Sequence, residues 1–343
     1  MTLPFRFLLL SIALAGPGAC PAAEYRVVAH YPVGGEGGYD YVRFDGMSHR
    51  LFVAHQKKVE VLDAETGKRL GEIADTNGAH GVALAPEFHH GFTSNGADRS
   101  VTMFDLVTLA PLKVIKYTGV KPDAIEYDPQ SKHVYVANGS STCDVTVIDP
   151  ATGDITATIA LAARGKLEGL AFDGRGRMFV NDEEASVIHV VDLKQLKPVA
   201  HWPLAPAEEP TGLAIDAAHH RLFSACANEK LAVLDSDTGN LVTTVPVAGD
   251  PDGAVFDPAT GLIFSPGRGG ILTIIKEEAP DRYTVQQNLA TMPGCRTITL
   301  DGQTGRVFLP TAKFGPAPEP TKETPHPRSP LLADTFEVVV IGH

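Results

Sequence analysis

The chain has 343 residues, of which 43% are hydrophobic and 20% charged, and its 41 acidic and 29 basic side chains give a formal charge of −12 at pH 7. The length alone would permit two domains. The acidic balance argues against a protein that binds phosphate backbones or anionic lipid, because no run of Lys or Arg longer than two concentrates positive charge.

Residues 1–23 are predicted to be a signal peptide. They carry a single charge, and the apolar run at 7–15 is too short to cross a bilayer. Lipid anchoring at Cys20 is the less favoured alternative, because Pro17 stands where lipoprotein signals have an aliphatic residue. We therefore expect the mature chain, 24–343, to be periplasmic or secreted, with no transmembrane segment.

Seven similar segments follow at intervals of 40 to 45 residues. Each alternates apolar and polar residues in short runs that are separated by turn pairs such as Asp-Pro, Asn-Gly and Thr-Gly, which is typical of an antiparallel meander. The repeat is clearest in the predicted second strands, RLFVA (50–54), HGFTS (90–94), HVYVA (133–137), RMFVN (177–181), RLFSA (221–225), LIFSP (262–266) and RVFLP (306–310). Seven copies at this period predict an all-β, seven-bladed β-propeller with four-stranded antiparallel blades.

The ends of the chain indicate how the ring closes. The last repeat has no fourth strand after its third, whereas residues 25–32, ahead of the first repeat, have the pattern of a fourth strand. We predict that this N-terminal strand completes the last blade and leaves no open edge between the first and last blades. The prediction is a single propeller domain over residues 24–343.

Two of the repeats carry a family resemblance. VYVANGSSTCDVTVIDPATG (134–153) and RLFSACANEKLAVLDSDTG (221–239), together with the ending FEVVVIG (336–342), resemble the YVTN-type repeat of bacterial YncE-like propellers. The resemblance spans the whole mature chain and implies an exported seven-bladed propeller. It also implies single-stranded DNA binding as one activity, since some family members are reported to have it. No Trp-Asp pair closes the third strands, so the repeats do not resemble those of a WD40 scaffold.

The candidate site lies where the first strands begin. In a propeller these strands line the central channel, so the residues that precede them should meet at one mouth of the channel. This predicted inner ring comprises Asp40, His80, Asp123, Glu168, Thr211, Asp252 and Arg296. A second ring is expected on the same face, at the ends of the second strands, and comprises His55, Asn95, Asn138, Asp182, Cys226, Gly267 and Thr311. The residues predicted to bind a ligand are Asp40, His80, Asp123, Glu168, Asp252, Arg296, His55, Asn95 and Asn138.

The inner ring is open to three chemical interpretations. Carboxylates held close together must pair, share protons or hold a cation. Oxygen ligands with imidazole suit a divalent metal such as Ca²⁺, Mn²⁺ or a zinc-like ion, which would support a metal-dependent, lactonase-like hydrolase. Alternatively, Arg296 could clamp the carboxylate of a small ligand. In the third interpretation, Asp123, Thr211 and Asp252 only cap turns by accepting backbone N–H groups.

A long Pro-rich loop at 311–335 departs from the repeat and is expected on the same face as the inner ring. Proline at this density favours an extended, stiff segment, so the loop would serve as a lid or as a partner-binding arm.

The sequence contains no Gly-x-Ser-x-Gly elbow, phosphate-binding loop or HExxH motif. We therefore expect an exported, monomeric, non-enzymatic binding protein that holds a small polar ligand or an envelope protein at the channel mouth and the Pro-rich loop. The metal-dependent hydrolase is the first alternative. Single-stranded DNA binding is the second, and the acidic charge disfavours it, because such binders need a basic groove with stacking aromatics.

Overall fold

The predicted repeats form seven four-stranded antiparallel sheets in the computed structural model, which describes residues 24–116, 121–139, 142–321, 327 and 329–343. The predicted signal peptide lies outside the described residues. Strand β1 (Arg26–Pro32) belongs to the last blade, so the first blade begins with β2.

Blades 1 to 4 follow one another along the chain, each running from the channel outwards. Blade 1 contains β2 (Tyr39–Asp45), β3 (Arg50–His55), β4 (Lys58–Asp63) and β5 (Arg69–Ile73). Blade 2 contains β6 (Ala79–Ala85), a 3-10 turn (Pro86–Phe88), β7 (His90–Asn95), β8 (Ser100–Asp105) and β9 (Pro111–Lys116). Blade 3 contains β10 (Pro122–Asp128), β11 (His133–Asn138), β12 (Cys143–Asp149) and β13 (Asp154–Ala162). Blade 4 contains β14 (Leu167–Phe172), β15 (Arg177–Asp182), β16 (Val187–Asp192) and β17 (Lys197–Pro203).

Blades 5 to 7 complete the ring. Blade 5 contains β18 (Pro210–Asp216), β19 (Arg221–Cys226), β20 (Lys230–Asp235) and β21 (Leu241–Pro246). Blade 6 contains β22 (Val255–Asp257), β23 (Leu262–Gly267), β24 (Ile271–Ala279) and β25 (Arg282–Ala290). Blade 7 contains β26 (Thr299–Asp301), β27 (Arg306–Thr311), β28 (Glu337–Gly342) and, on its outer side, β1.

The ring closes as the sequence predicts. β1 pairs antiparallel with β28, from Arg26 opposite Gly342 to Pro32 opposite Glu337. The first strand of blade 1 also contacts that of blade 7, so the seven inner strands form a continuous circle. The prediction of a seven-bladed propeller closed by its N-terminal strand is confirmed.

The core lies between the blades, where an aromatic ring repeats at the third position of each second strand. The seven residues are Phe52, Phe92, Tyr135, Phe179, Phe223, Phe264 and Phe308, all almost fully buried. Burying one such side chain stabilises the fold by about 1.5–3 kcal/mol. Because the second and third strands are covered on both faces by neighbouring blades, they are almost entirely buried, whereas the fourth strands are half exposed.

The channel between the first strands is narrow. A Cβ added to Gly212 would lie 2.3 Å from the carbonyl carbon of Gly253 on the next blade, so glycine is required where these strands approach the axis. The Arg43–Glu126 salt bridge joins blade 1 to blade 3 within the channel. A small cavity of about 140 Å³ lies there.

Candidate functional site

A cavity of about 980 Å³, here called the cup, occupies the mouth of the channel on the face where the first strands begin. All seven residues of the predicted inner ring line it. Their convergence from seven blades is therefore as predicted from the repeat spacing. The floor of the cup is formed by Tyr41, which also lines the channel cavity below.

Five members of the inner ring form a continuous chain of ion pairs that runs across five blades. Arg296 contacts Asp252 on one side, and its Nη2 lies 3.2 Å from Asp40 Oδ1 on the other. His80 Nδ1 contacts Asp40 in turn and lies 3.5 Å from Asp123 Oδ1. The charges therefore alternate in sign from blade 6 through blades 7, 1 and 2 to blade 3.

The environment of His80 favours its protonated form. Burial alone would lower the pKa of His80, but the hydrogen bond to Asp40 and the charge of Asp123 outweigh it, so the pKa is raised. For Asp40, burial would raise the pKa, but the hydrogen bond from His80 and the charge of Arg296 lower it. An imidazolium between two carboxylates is the state that this geometry supports.

Glu168 stands apart from that chain of ion pairs. Its Oε1 lies 2.9 Å from Lys166 Nζ, and its Oε2 accepts a hydrogen bond of 3.1 Å from the Tyr41 hydroxyl across the channel. Burial and the charge of Asp123 raise the pKa of Glu168 to about 8, despite the nearby lysine. Burial and the charge of Glu168 also raise the pKa of Tyr41 well above its usual value. The floor of the cup therefore holds a carboxyl group whose pKa lies far above that of an exposed glutamate.

The described residues contradict the turn-capping interpretation of the inner ring. None of the ring carboxylates accepts a backbone N–H there, and they contact cations or a tyrosine hydroxyl instead. Thr211 donates its hydroxyl to Pro251 O at 2.7 Å, which ties blade 5 to blade 6. Arg296 is engaged by Asp40 and Asp252, so the structure does not leave it as the free clamp that the sequence suggested.

Three of the predicted binding residues do not reach the cup. His55 is 2% exposed, with Nδ1 3.7 Å from Glu60 Oε1 and its ring against Phe336. Asn95 and Asn138 are buried and donate within their own blades, Asn95 to Thr102 and Asn138 to Thr146, both at 2.9 Å. Because the second strands are packed between blades, these side chains enter the inter-blade core, and the second ring was wrongly placed at the mouth.

An outer ring, which lies two positions before the inner one, was not predicted from the sequence. Its members are Gly38, Gly78, Lys121, Lys166, Glu209, Asp250 and Gly294. All except Gly78 line the cup. The repeat spacing could have revealed this ring, since four of its positions carry charge and three carry glycine.

The Pro-rich loop contributes an apolar wall. Phe314, Ser329 and Leu331 line the cup, and an isolated β-bridge joins Phe314 to Leu331. Backbone hydrogen bonds from Gly315 N to Pro330 O and from Leu332 N to Lys313 O hold the two limbs of the loop together. The described limbs of the loop therefore lie against the mouth, in the place expected of a lid.

Three inner-ring side chains also have the composition of a metal site. The ligand atoms of Asp40, His80 and Asp123 lie within 4.8 Å of one another. However, both carboxylates face the same imidazole nitrogen, Nδ1, which as a proton donor accounts for them without an ion.

Comparisons with known proteins support the fold alone. No family model and no curated protein matches the chain. Among solved structures, a chain of "Crystal Structure of Mitotic Checkpoint Complex" is similar with a TM-score of 0.71 and 13% identity, covering 89% of this chain and 96% of that one. A chain of "Kuenenia stuttgartiensis Hydrazine Synthase" is similar with a TM-score of 0.67 and 16% identity, covering 85% and 96%. The described part of the chain has no helix long and apolar enough to span a membrane.

Proposed function

We propose that this propeller is a non-enzymatic binding protein that holds a small polar ligand in the cup. The observation that supports the proposal is a one-sided cavity of about 980 Å³ whose wall is charged and whose channel is crossed below by Arg43–Glu126. Concave sites of this volume with convergent polar groups are typical of small-molecule binding. Propellers commonly serve as interaction scaffolds, which agrees with a binding role.

The test is a ligand screen in which the cup is filled by mutation. Ala227 lines the cup, and within the described residues it makes a single hydrogen bond, from its backbone N–H to Glu209 O at 3.1 Å. Ala227→Trp should therefore occlude the cup without removing a side-chain bond. Ala217→Trp, in the exposed turn on the opposite face of the same blade, is the matched control.

Thermal shift of the three proteins against a library of small polar compounds gives the readout. We expect compounds that raise the Tm of the wild type and of Ala217→Trp but not of Ala227→Trp, because binding to the folded state raises stability by mass action. If every stabilising compound acts equally on Ala227→Trp, the cup is not the binding site.

The second candidate is the metal-dependent hydrolase, which the cluster of Asp40, His80 and Asp123 favours. Elemental analysis after dialysis against Ca²⁺, Mn²⁺ or Zn²⁺, with melts in the presence and absence of EDTA, separates the candidates. We expect no stoichiometric metal and an unchanged Tm. A metal retained by the wild type and lost from His80→Gln would favour the hydrolase, and ester and lactone assays would follow.

We also propose that the protein acts outside the cytoplasm, on the basis of the signal-like residues 1–23. Cell fractionation should recover a shortened chain from the periplasm or the medium. Deleting residues 2–23 should retain the chain in the cytoplasm. A full-length cytoplasmic protein would contradict the proposal.

A further inference from the structure

The cup carries charges that its own walls do not neutralise. Four of its cationic residues contact acids of the ring, namely His80, Lys121, Lys166 and Arg296. The guanidinium of Arg268 has no such partner among the described residues, although it lines the same cavity. Glu209 and Asp250 also line the cup, and within the described ranges their carboxylates accept no hydrogen bond or ion pair. One positive and two negative groups are thus available to a ligand.

The two free carboxylates occupy positions where a side chain is costly. Glu209 and Asp250 have φ of 55° and 51°, in the left-handed region that non-glycine residues seldom adopt. The equivalent outer-ring positions of blades 2 and 7 are Gly78 and Gly294, with φ of 74° and 90°. Glycine would therefore serve the turn without strain, yet blades 5 and 6 place acids there. Lys121, at the same position of blade 3, has a φ of 56°, so three blades place a charged side chain in this conformation where blades 2 and 7 have glycine.

The backbone of Arg268 adjoins the glycine that lies beneath the apolar part of the wall. Its backbone is fixed on both sides, because its N–H donates to Gly249 O and Asp250 O, and its carbonyl accepts from Gly294 N at 2.7 Å. Phe314 packs over Gly294, since a Cβ at that glycine would lie 2.7 Å from the Phe314 ring. The Arg268 side chain is exposed to the cup, and a guanidinium can bind a carboxylate through two parallel N–H···O bonds.

We propose that the ligand of the cup is a zwitterion with an apolar body, namely a short peptide with free termini. Its carboxylate would be bound by Arg268, its ammonium group by Glu209 and Asp250, and its apolar part by Phe314 and Leu331. The inference rests on the proposed function of the cup and specifies the chemistry of its ligand.

Isothermal titration calorimetry with a panel of unblocked tripeptides tests it, using Leu-Gly-Leu, Phe-Gly-Phe and Val-Gly-Val as probes. Each peptide is compared with its N-acetylated and C-amidated forms, which remove one charge at a time. The protein variants are Arg268→Gln for the carboxylate end and the double variant Glu209→Gln with Asp250→Asn for the ammonium end. Exposed residues that do not line the cup supply the controls, Arg164→Gln and Glu208→Gln.

We expect C-amidation to weaken binding to the wild type about tenfold, the size of one charge-assisted contact. The same amidation should have little effect on Arg268→Gln, because the partner of the carboxylate is already gone. N-acetylation should also weaken binding to the wild type and have little effect on the double variant. Both control variants should match the wild type. This pattern of coupled losses distinguishes a direct contact from a general change in the cup.

Binding that is indifferent to blocked ends, or a loss on amidation that is as large in Arg268→Gln as in the wild type, would overturn the inference. So would the absence of binding by every unblocked peptide in the panel. These results leave the proposed function standing if other compounds still bind in a manner that Ala227→Trp blocks. If no compound is sensitive to Ala227→Trp, the proposed function fails together with the inference.

Discussion

The two faces of the propeller use acidic residues in opposite ways. On the face away from the cup, six of the seven first strands end in or are followed by an aspartate that accepts a backbone N–H group two or three residues further on, as Asp216 does from Ala218 and His219. Blade 2 has Ala85 at this position. At the cup, Asp40 instead bonds His80 on the next blade and Arg296 on the last. The first role is local and repeats around the ring, whereas the second depends on what neighbouring blades supply. An acidic residue that recurs from repeat to repeat therefore belongs to a turn, whereas a residue that departs from the repeat belongs to the site.

Removing the cation from the inner ring should have the largest effect. Arg296 is 17% exposed, and Asp40 and Asp252 beside it are 12% and 13% exposed. Arg296→Met would leave the nearly buried Asp252 without a partner among the described residues, and Asp40 with His80 alone. We expect the free energy of unfolding in urea to fall by about 3 kcal/mol. Arg296→Lys should lose less, since it keeps the charge but not the forked geometry. If the methionine variant were as stable as the wild type, the ring charges would be solvated rather than paired.

The next effect is a pH dependence that arises at the floor of the cup. The pKa of Glu168 is raised by burial from 4.5 to about 8, so the stability that its neutral form contributes is complete below pH 4.5 and is lost as the pH rises through about 8. Glu168→Gln should lack this loss, with a difference in slope of at most about 1.4 kcal/mol per pH unit. Urea unfolding at several pH values between 5 and 9 measures it.

The exposed Glu184→Gln, in the turn that follows the next strand of the same blade, is the control for that series and should parallel the wild type. Parallel curves for Glu168→Gln and the wild type would instead mean that Glu168 is ionised throughout this range.

The smallest effect should come from the opposite face. Asp301 accepts hydrogen bonds from Gln303 N at 2.9 Å and from the Thr304 hydroxyl at 2.6 Å, both within its own turn. Asp301→Ala should cost about 1 kcal/mol in urea unfolding and leave ligand binding unchanged. A loss as large as that of Arg296→Met would remove the distinction between local and cross-blade acids.

The fold could be predicted from the sequence because short local patterns encode its strands and turns. Turn pairs and period-two alternation recur seven times, and the unmatched strand at 25–32 predicts its own partner. The convergence of the inner-ring residues could be predicted from the same spacing, because equivalent positions in the blades of a propeller lie at the same depth along the channel.

The ion pairs within the cup could not be predicted from the repeat in this way. Whether Arg296 is free or bound depends on Asp40 and Asp252, which belong to other blades and lie far from it along the chain. The error over Asn95 has a related cause, because a strand buried on both faces gives no alternation that would tell core from channel.

The pairing of β1 with β28, which joins the two ends of the chain, affects how the ring assembles. Arg26 bonds opposite Gly342, so β1 must remain without its partner until roughly three hundred further residues have been synthesised. Blades 1 to 6 are each built from contiguous chain and can form in order of synthesis, but blade 7 cannot. Contacts this distant in sequence are slow to form, because the entropy of closing the intervening chain is lost before the contact is gained. Assembly of the ring should therefore end with a slow step in which the earliest strand is captured by the latest.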